Sequence, residues 1–460
     1  MWQRCVAFAL LLTASGVGGR ADERPRPNVV LIVADDLGYG DLGCFGSTTT
    51  KSPHLDALCQ QGVRLTNFSV AWPACTPSRA SLLTGRFPQR NGLYDMIRND
   101  SVNYGHRFTE EEYAVSPEMT LGMDLREITI ADLLQKSGYR CGMVGKWDGG
   151  RAKRFLPLQR GFDSFYGFSN TGIDYWTHER YGVPSMFRDN TRTTEDRGKY
   201  ATDLFRREAL AFVNKAPATD PLFLYLAFNA PHAASNLEKD SYQAPDEVLE
   251  RYSHLKVPVR KAKYLAMISS MDDAVGELVA SLKASGRYEN TLFVFLSDNG
   301  GSRISDNGPL RGYKTQMFEG GHRVAAFAVW PGVLPAGKTS DEFLTALEIF
   351  PTLLAATGLT PPEGLTLDGF ESLSVLKGER ASPRREMFWQ RRSDRAARVG
   401  DYAWVDSVAG TGLFHLKTDL GQKKDLSAQQ PEKLQEIQTR FKQWEAEMLA
   451  SEPRGPFRDY

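Results

Sequence analysis

The chain has little cysteine and no excess of charge of either sign. Its 460 residues include five cysteines, 56 Lys plus Arg and 56 Asp plus Glu. Five cysteines are too few for a fold built on disulfides, and the balanced charge argues against a protein that coats nucleic acid. Beyond the first twenty residues, no apolar run approaches the roughly 20 residues of a membrane helix, so stable membrane insertion is not expected. Apolar residues make up 41% of the chain, enough for a large globular core.

The amino-terminal residues are typical of a secretory signal. A short positive start that includes Arg4 is followed by an apolar run from Val6 to Leu12, which is too short to span a bilayer. Small residues at Gly19 and Ala21 predict cleavage after Ala21. The sequence therefore predicts a signal peptide over residues 1–21 and an exported protein, periplasmic or secreted, with an uncleaved anchor as the alternative.

Short apolar runs predict the central strands of an α/β sheet. Continuous runs cover Val29–Ala34, Leu222–Phe228 and Leu292–Leu296, and Arg140–Val144 follows a helical pattern over Ile128–Lys136. Polar groups follow the runs: Asp35-Asp36, His232, Asp298-Asn299 and Lys146-Trp147-Asp148. Ligands of open α/β sheets bind beyond the carboxyl ends of the strands, so we expect these groups to meet at one edge. The alternative is that polar residues simply begin the loops.

The carboxyl-terminal part predicts a small α+β lobe. A short helix over Leu347–Thr357 is followed by the chain break at Pro361-Pro362. Three short strands and a closing helix are predicted beyond it: Glu386–Trp389, Tyr402–Val405, Leu413–Leu416 and Pro431–Leu449. We therefore divide the mature chain into 22–360 and 361–460. The arginines of residues 391–398 are interpreted as a solvated face rather than a polyanion site.

The segment around Cys75 is typical of an oxyanion site. Pro77 suits the first turn of a helix that ends near Gly85, which places Cys75 at the helix entrance. Backbone N–H groups at that entrance and the side chain of Arg79 would face an oxyanion held beside Cys75. A buried structural cysteine is the alternative.

This segment resembles the signature of the type I sulfatases, Cys-x-Pro-Ser-Arg followed by Leu-Leu-Thr-Gly, and further segments resemble the family in order and spacing over roughly residues 27–380. They are Asn28–Asp36, Val144–Trp147, Asn229–His232, Ser297–Gly300 and Leu310–Lys314 with Phe318–Gly321. The segment Asp174–Arg180 resembles the arylsulfatase B-like and polysaccharide sulfatase branch. The resemblance implies an alkaline-phosphatase-like fold, with a large mixed, mostly parallel sheet between helices.

The resemblance implies that a maturation enzyme oxidises Cys75 to formylglycine, whose hydrate carries two hydroxyls. One hydroxyl would attack sulfur, and the second would lose its proton so that sulfate is expelled; a thiol cannot do this. With Cys75 so occupied and Cys5 removed, at most one disulfide can form among the remaining cysteines, and the sequence does not fix its pairing.

The resemblance also implies a calcium ion. Its ligands would be Asp35, Asp36, Asp298 and Asn299 with the modified Cys75, and these oxygen donors suit a hard divalent cation. Arg79, Lys146 and Lys314 would hold the sulfate oxygens, and His232 would protonate the leaving alcohol.

One position departs from the family pattern. The family usually has histidine after Gly-Lys-Trp, where this chain has Asp148. That histidine takes a proton during sulfate release, and a carboxylate is also a competent acceptor. The sequence therefore predicts that Asp148 replaces it.

The leading hypothesis is a sulfatase that acts on sulfated carbohydrate. The alternatives are a phosphoester or phosphonate hydrolase of the same superfamily, a noncatalytic glycan-binding relative, and a cysteine hydrolase that uses Cys75 and His232.

Overall fold

The computed structural model describes residues 25–97, 109, 111 and 121–451. The predicted signal peptide and the sequon Asn99-Asp100-Ser101 lie outside the described residues. None of the helices in the described part is long and apolar enough to cross a membrane.

The described residues form the following strands, numbered in chain order: β1 Asn28–Ala34, β2 Val63–Leu65, β3 Phe68–Ser69, β4 Arg140–Lys146, β5 Ser164–Phe168, β6 Glu179–Arg180, β7 Val183–Pro184, β8 Met186–Arg188, β9 Thr191–Arg192, β10 Leu222–Ala227, β11 Thr291–Ser297, β12 Ala326–Val329, β13 Lys338–Ser340, β14 Leu344–Thr345, β15 Glu386–Arg391, β16 Asp394–Val399, β17 Tyr402–Ser407 and β18 Gly410–His415.

The α-helices are Pro53–Gln60, Cys75–Thr84, Pro88–Asn91, Ile130–Lys136, Ala201–Lys215, Asp246–Leu249, Val259–Ala284, Glu319–His322, Ile349–Ala356, Leu373–Lys377 and Pro431–Ala450. Short 3₁₀ helices cover Gly43–Phe45, Lys153–Phe155, Pro157–Gln159, Glu250–Tyr252, Tyr288–Asn290 and Ala346–Glu348.

A ten-stranded sheet forms the centre of the molecule. Its order is β13-β2-β12-β11-β1-β10-β4-β5-β8-β9. The five strands from β11 to β5 in this order are parallel to one another, and antiparallel pairs flank them. The four predicted central strands are confirmed. They are buried along nearly their whole length because helices cover both faces, which explains their continuous apolar sequences.

Two hydrophobic cores lie on the two faces of this sheet. One includes Ile32, Leu224 and Phe295, and packs against the helices Ala201–Lys215 and Val259–Ala284. The other includes Val29, Phe223 and Val294 and packs against Ile130–Lys136 and Ile349–Ala356. The predicted mixed, mostly parallel sheet between helices is therefore confirmed.

A four-stranded antiparallel sheet, β15-β16-β17-β18, forms the carboxyl-terminal part with the helix Pro431–Ala450. Strand β16 was not predicted, and the interpretation of its arginines as a solvated face is wrong for Arg398. That side chain is buried, donates to Asn67 Oδ1 at 2.6 Å, and lies over the ring of Phe343 at 3.9 Å. Strand β16 lies between β15 and β17, and its consecutive residues Ala396, Ala397 and Arg398 are all buried.

Asn67 belongs to a second glycosylation sequon, Asn67-Phe68-Ser69. It is buried, and its Nδ2 donates to the carbonyl of Asp341 at 2.8 Å. In the folded protein this side chain is occupied by structural hydrogen bonds, as a chance sequon would be.

A buried group of charges links helical segments of the larger part to the segment that precedes β15, and we name it the joint: Arg90, Glu348, Asp368 and Arg384. Arg384 pairs with Glu348 and donates to the carbonyl of Asp368 at 2.9 Å. Arg90 pairs with the Asp368 carboxylate at 3.1 Å. The domain boundary after residue 360 stays a prediction.

Candidate active site

The carboxyl ends of β1, β10, β11 and β4 bring their polar residues to one edge of the sheet. Asp35 and Asp36 follow β1, Asp298 and Asn299 follow β11, and Lys146 ends β4. His232 lies in the turn after β10. The backbone N–H of Asp36 contacts Asp298 Oδ1 at 3.4 Å, which joins two of these strand ends directly. The expectation that the four polar clusters meet is confirmed by their positions in the structure.

Cys75 is the first residue of the helix Cys75–Thr84, as the sequence predicts, and Gly85 ends this helix in the left-handed conformation with φ 66°. The thiol is fully buried; it donates to Asp35 Oδ1 at 3.5 Å and accepts from Lys314 Nζ at 3.2 Å. Burial, with the nearby Asp35 carboxylate, raises the pKa of the Cys75 thiol well above its usual value. An unmodified Cys75 is therefore a neutral thiol and a poor nucleophile.

Three cationic side chains pair with the carboxylates around Cys75. Lys146 Nζ lies 2.7 Å from Asp35 Oδ2, Lys314 Nζ lies 2.7 Å from Asp36 Oδ1, and Arg79 Nη2 lies 2.7 Å from Asp298 Oδ2. Burial alone would raise the pKa of Asp35, but the positive charges of Lys146, His232 and Arg79 together outweigh it and the pKa falls below its usual value. For Asp36, burial is likewise outweighed by Lys314 and His232 together, so its pKa is also lowered. Both carboxylates are therefore ionised at neutral pH.

The oxygen atoms of this cluster fit a hard divalent cation. Ligand atoms of Asp35, Asp36, Cys75 and His232 all lie within 4.8 Å of one another. Within the described part of the chain, Asn299 Oδ1 is buried without a hydrogen-bond partner, whereas its Nδ2 donates to Asp36 Oδ1 at 2.8 Å. A buried carbonyl oxygen without a donor costs free energy unless something else occupies it. Asp35, Asp36 and Asn299 therefore fit a divalent cation, whereas Asp298 Oδ2 is paired with Arg79 at 2.7 Å, and the calcium site stays a prediction.

Asp148 lies beside Lys146 at the same edge. Its Oδ1 accepts from Thr76 Oγ1 at 2.9 Å, and its Oδ2 is 3.7 Å from Lys146 Nζ. Burial raises the pKa of Asp148 to about 6, against the opposing charges of Lys146 and Arg79. Thr76, which the sequence did not single out, thus links Asp148 to the helix that carries Cys75; its place next to Cys75 was the only signal.

His232 is held with one ring nitrogen towards the carboxylates. Its Nδ1 lies 2.6 Å from the carbonyl of Ala233 and therefore donates to it, while Nε2 is 3.8 Å from Asp36 Oδ2. Burial lowers the pKa of His232, and the Asp35 carboxylate opposes that shift. The Tyr175 hydroxyl fixes this turn, because it lies 2.7 Å from the carbonyl of Asn229 and 2.9 Å from that of His232. In the sequence, only the place of Tyr175 in the segment Asp174–Arg180, which resembles the family, pointed to this residue.

Two other histidines lie elsewhere. His178 Nε2 is 2.8 Å from the carbonyl of Lys199, and His322 stacks on Trp389 with ring centroids 3.9 Å apart. Neither is among the groups that surround Cys75. The described cysteines, Cys44, Cys59, Cys75 and Cys141, are all free thiols in this structure.

Comparisons with known proteins agree with this geometry. A family model described as Sulfatase matches residues 27–359. The N-acetylgalactosamine-6-sulfatase of Homo sapiens is 30% identical over 494 residues, which cover 95% of this chain and 89% of the relative.

Solved structures give the same result. A crystal structure of Ps i-CgsB in complex with k-i-k-neocarrahexaose is 31% identical, with a TM-score of 0.80 over 91% of this chain and 92% of the other. The PsFucS1 sulfatase from Pseudoalteromonas sp. is 27% identical, with a TM-score of 0.72 over 92% of this chain and 90% of the other. The alkaline-phosphatase-like fold implied by the sequence is confirmed.

Proposed function

Because this chain belongs to the sulfatase family and is a sulfuric ester hydrolase, we propose that it removes sulfate from carbohydrate. One relative is named for N-acetylgalactosamine, and one similar structure holds k-i-k-neocarrahexaose. These names support a sulfated carbohydrate as the substrate class. We also propose that the protein is exported, on the basis of residues 1–21.

The observation that carries the proposal is the position of Cys75. It begins a helix, it contacts Lys314 and Asp35, and the polar ends of four parallel strands surround it. We propose that a maturation enzyme converts Cys75 to formylglycine, which would supply the attacking hydroxyl together with the second hydroxyl needed for sulfate release. The raised pKa of the unmodified thiol argues against a hydrolase that uses Cys75 itself as a thiolate.

The charge of the site supports a bound cation. Four buried carboxylates, of Asp35, Asp36, Asp148 and Asp298, face the three cations of Arg79, Lys146 and Lys314. An added sulfate would therefore meet a net negative site, and a divalent cation reverses that sign. Asp35, Asp36, Asp298 and Asn299 would hold calcium, which when bound supplies positive charge to the sulfate.

The side chains have distinct roles in this proposal. Arg79, Lys146 and Lys314 bind and orient the sulfate oxygens, and stabilise negative charge that develops during the reaction. His232 in its imidazolium form, which the Asp35 and Asp36 carboxylates favour, gives its Nε2 proton to the leaving oxygen of the sugar, while Nδ1–H stays bonded to the carbonyl of Ala233. Asp148 accepts the proton that must leave for sulfate release; its Oδ2 has no hydrogen-bond donor in this structure.

The test is parallel turnover of an aryl sulfate and the matching aryl phosphate, with protein produced together with a formylglycine-generating enzyme. We expect sulfate release to be much faster than phosphate release. Faster phosphate release would favour the phosphoester hydrolase of the same superfamily, and binding of sulfated sugar without turnover would favour a noncatalytic relative.

The metal is tested on the same preparation. Removal with a chelator should abolish turnover, and calcium should restore it. Asp298→Ala should weaken both metal retention and turnover, measured by elemental analysis and by sulfate release. Active protein without bound metal would reject the calcium assignment.

A further inference from the structure

The catalytic cluster opens to solvent on one side. The side chains of Lys146 and Asp35 are fully buried, whereas those of His232 and Lys314 are 18% and 17% exposed. A substrate therefore reaches Cys75 past His232 and Lys314. The part of the substrate beyond the sulfate must lie against the residues that border these two side chains.

The loop of residues 301–307 forms this border next to Lys314. The backbone N–H of Lys314 donates to the carbonyl of Gly301 at 2.9 Å. Asn307 braces the two segments, because its Oδ1 accepts from Gly301 N–H at 3.0 Å and its Nδ2 donates to the carbonyl of Gly312 at 3.1 Å. Ser305 Oγ donates to the carbonyl of Asp36 at 3.2 Å. The loop is thus fixed directly on the catalytic residues.

Arg303 lies in the turn of this loop and is exposed. Its guanidinium carbon lies 4.7 Å from the centre of the ring of Tyr313, the residue that precedes Lys314. Within the part of the chain that the structure describes, no carboxylate forms an ion pair with Arg303. Asp306, the nearest acid in sequence, instead accepts from the backbone N–H of Gly308 at 2.7 Å. Among the described residues, Arg303 is therefore a cation that is positioned by Tyr313, has no carboxylate partner and is exposed beside the entrance.

We propose that Arg303, held by Tyr313, binds a second anionic group of the carbohydrate, a sulfate or a carboxylate carried near the ester that is cleaved. This inference rests on the proposed function. A guanidinium offers two parallel N–H donors that match either oxyanion, and its stacking on an aromatic ring reduces the freedom lost when the ligand binds. Arg303 is a specificity residue here, because the three cations around Cys75 already serve the sulfate that leaves.

The experiment compares three disaccharides: one with a single sulfate ester, one with a second sulfate on the neighbouring ring, and one with a carboxylate there. For Arg303→Gln, the ratio of kcat/KM on a doubly charged substrate to that on the singly charged one should fall about tenfold, mainly through KM. Arg303→Lys should lie between Arg303→Gln and the wild type. The second group, sulfate or carboxylate, for which Arg303→Gln lowers the kcat/KM ratio is the anion that Arg303 binds.

Lys283→Gln is the matched control. Lys283 is exposed and also lies over an aromatic ring, 4.6 Å from the centre of Tyr288, but at the opposite end of β11. Its ratios should match the wild type. Unchanged ratios in Arg303→Gln for both second groups would overturn the role of Arg303. Failure of the wild type to release sulfate from any of the three would instead reject the proposed function and the inference with it.

Discussion

The active site and the joint are both buried groups of paired charges, but they differ in how many of their oxygen atoms accept a hydrogen bond. In the joint, Glu348 Oε1 accepts from Arg384 and its Oε2 accepts from Thr345, and both oxygens of Asp368 accept from Arg90. In the active site, Asn299 Oδ1 and Asp148 Oδ2 have no hydrogen-bond donor among the described residues.

The difference separates structural charge from functional charge. A buried ion pair whose atoms are all bonded holds its segments of the chain together, and breaking it leaves an uncompensated charge. A buried group that contains crowded carboxylates and oxygens without hydrogen-bond donors is suited to bind a ligand. We therefore expect mutations in the joint to reduce stability and mutations in the active site to reduce turnover.

The largest effect should come from Cys75→Ala. It removes the residue that we propose as the source of the nucleophile, so turnover of an aryl sulfate should fall by at least about a thousandfold. The thiol forms no strong hydrogen bond, so the midpoint of chemical unfolding should change little. Measured turnover near that of the wild type would place the nucleophile elsewhere.

The joint should show the opposite pattern in Arg384→Ala. Loss of this guanidinium leaves Glu348 buried and unpaired, which should lower the free energy of unfolding by about 3–5 kcal/mol while kcat/KM at low temperature stays near the wild-type value. The measurement is denaturant unfolding followed by fluorescence.

Arg380→Ala is its control. Arg380 pairs with Glu371 on the surface at 3.6 Å, so its loss should cost less than about 1 kcal/mol. Equal losses of unfolding free energy in the two variants would mean that the joint stabilises the fold no more than a surface ion pair does.

Asp148→Asn should lower kcat by about a hundredfold, because it removes the proton acceptor but keeps the shape. In the wild type, kcat should fall as the pH drops through about 6, since a protonated Asp148 cannot accept a proton. The variant should lose this acidic limb, as shown by pH profiles of kcat. A variant with full turnover would make Asp148 structural, and the proton would have to leave by another group.

The smallest effect on stability should come from a substitution of His322, which stacks on Trp389 of β15. Burial lowers its pKa to about 4, against the Glu319 carboxylate. Because its unfolded pKa is 6.5, the stability that it contributes is present above pH 6.5 and is lost as the pH falls towards 4. His322→Phe keeps an aromatic ring on Trp389 but cannot take up a proton. Between pH 7.5 and 5.5, the variant should therefore lose about 1 kcal/mol less unfolding free energy than the wild type. An unchanged pH dependence would contradict the lowered pKa.

The sequence predicts the active site better than the contacts of the carboxyl-terminal sheet, for a physical reason. The central strands are continuous apolar runs that end in charged residues, so composition and order alone locate Asp35 and Asp298 at one edge. Arg398 carries no such local signal, because its burial depends on Asn67, 331 residues away. Thr76 and Tyr175 likewise act through contacts that only folding creates.

The most direct test of the central claim is a mass spectrum of the peptide that contains Cys75, taken from the same preparations in which turnover of an aryl sulfate is measured. Preparations made with and without a formylglycine-generating enzyme should differ in the fraction of Cys75 converted, and turnover should rise in proportion to that fraction. Full turnover from a preparation in which Cys75 is only an unmodified thiol would contradict the account.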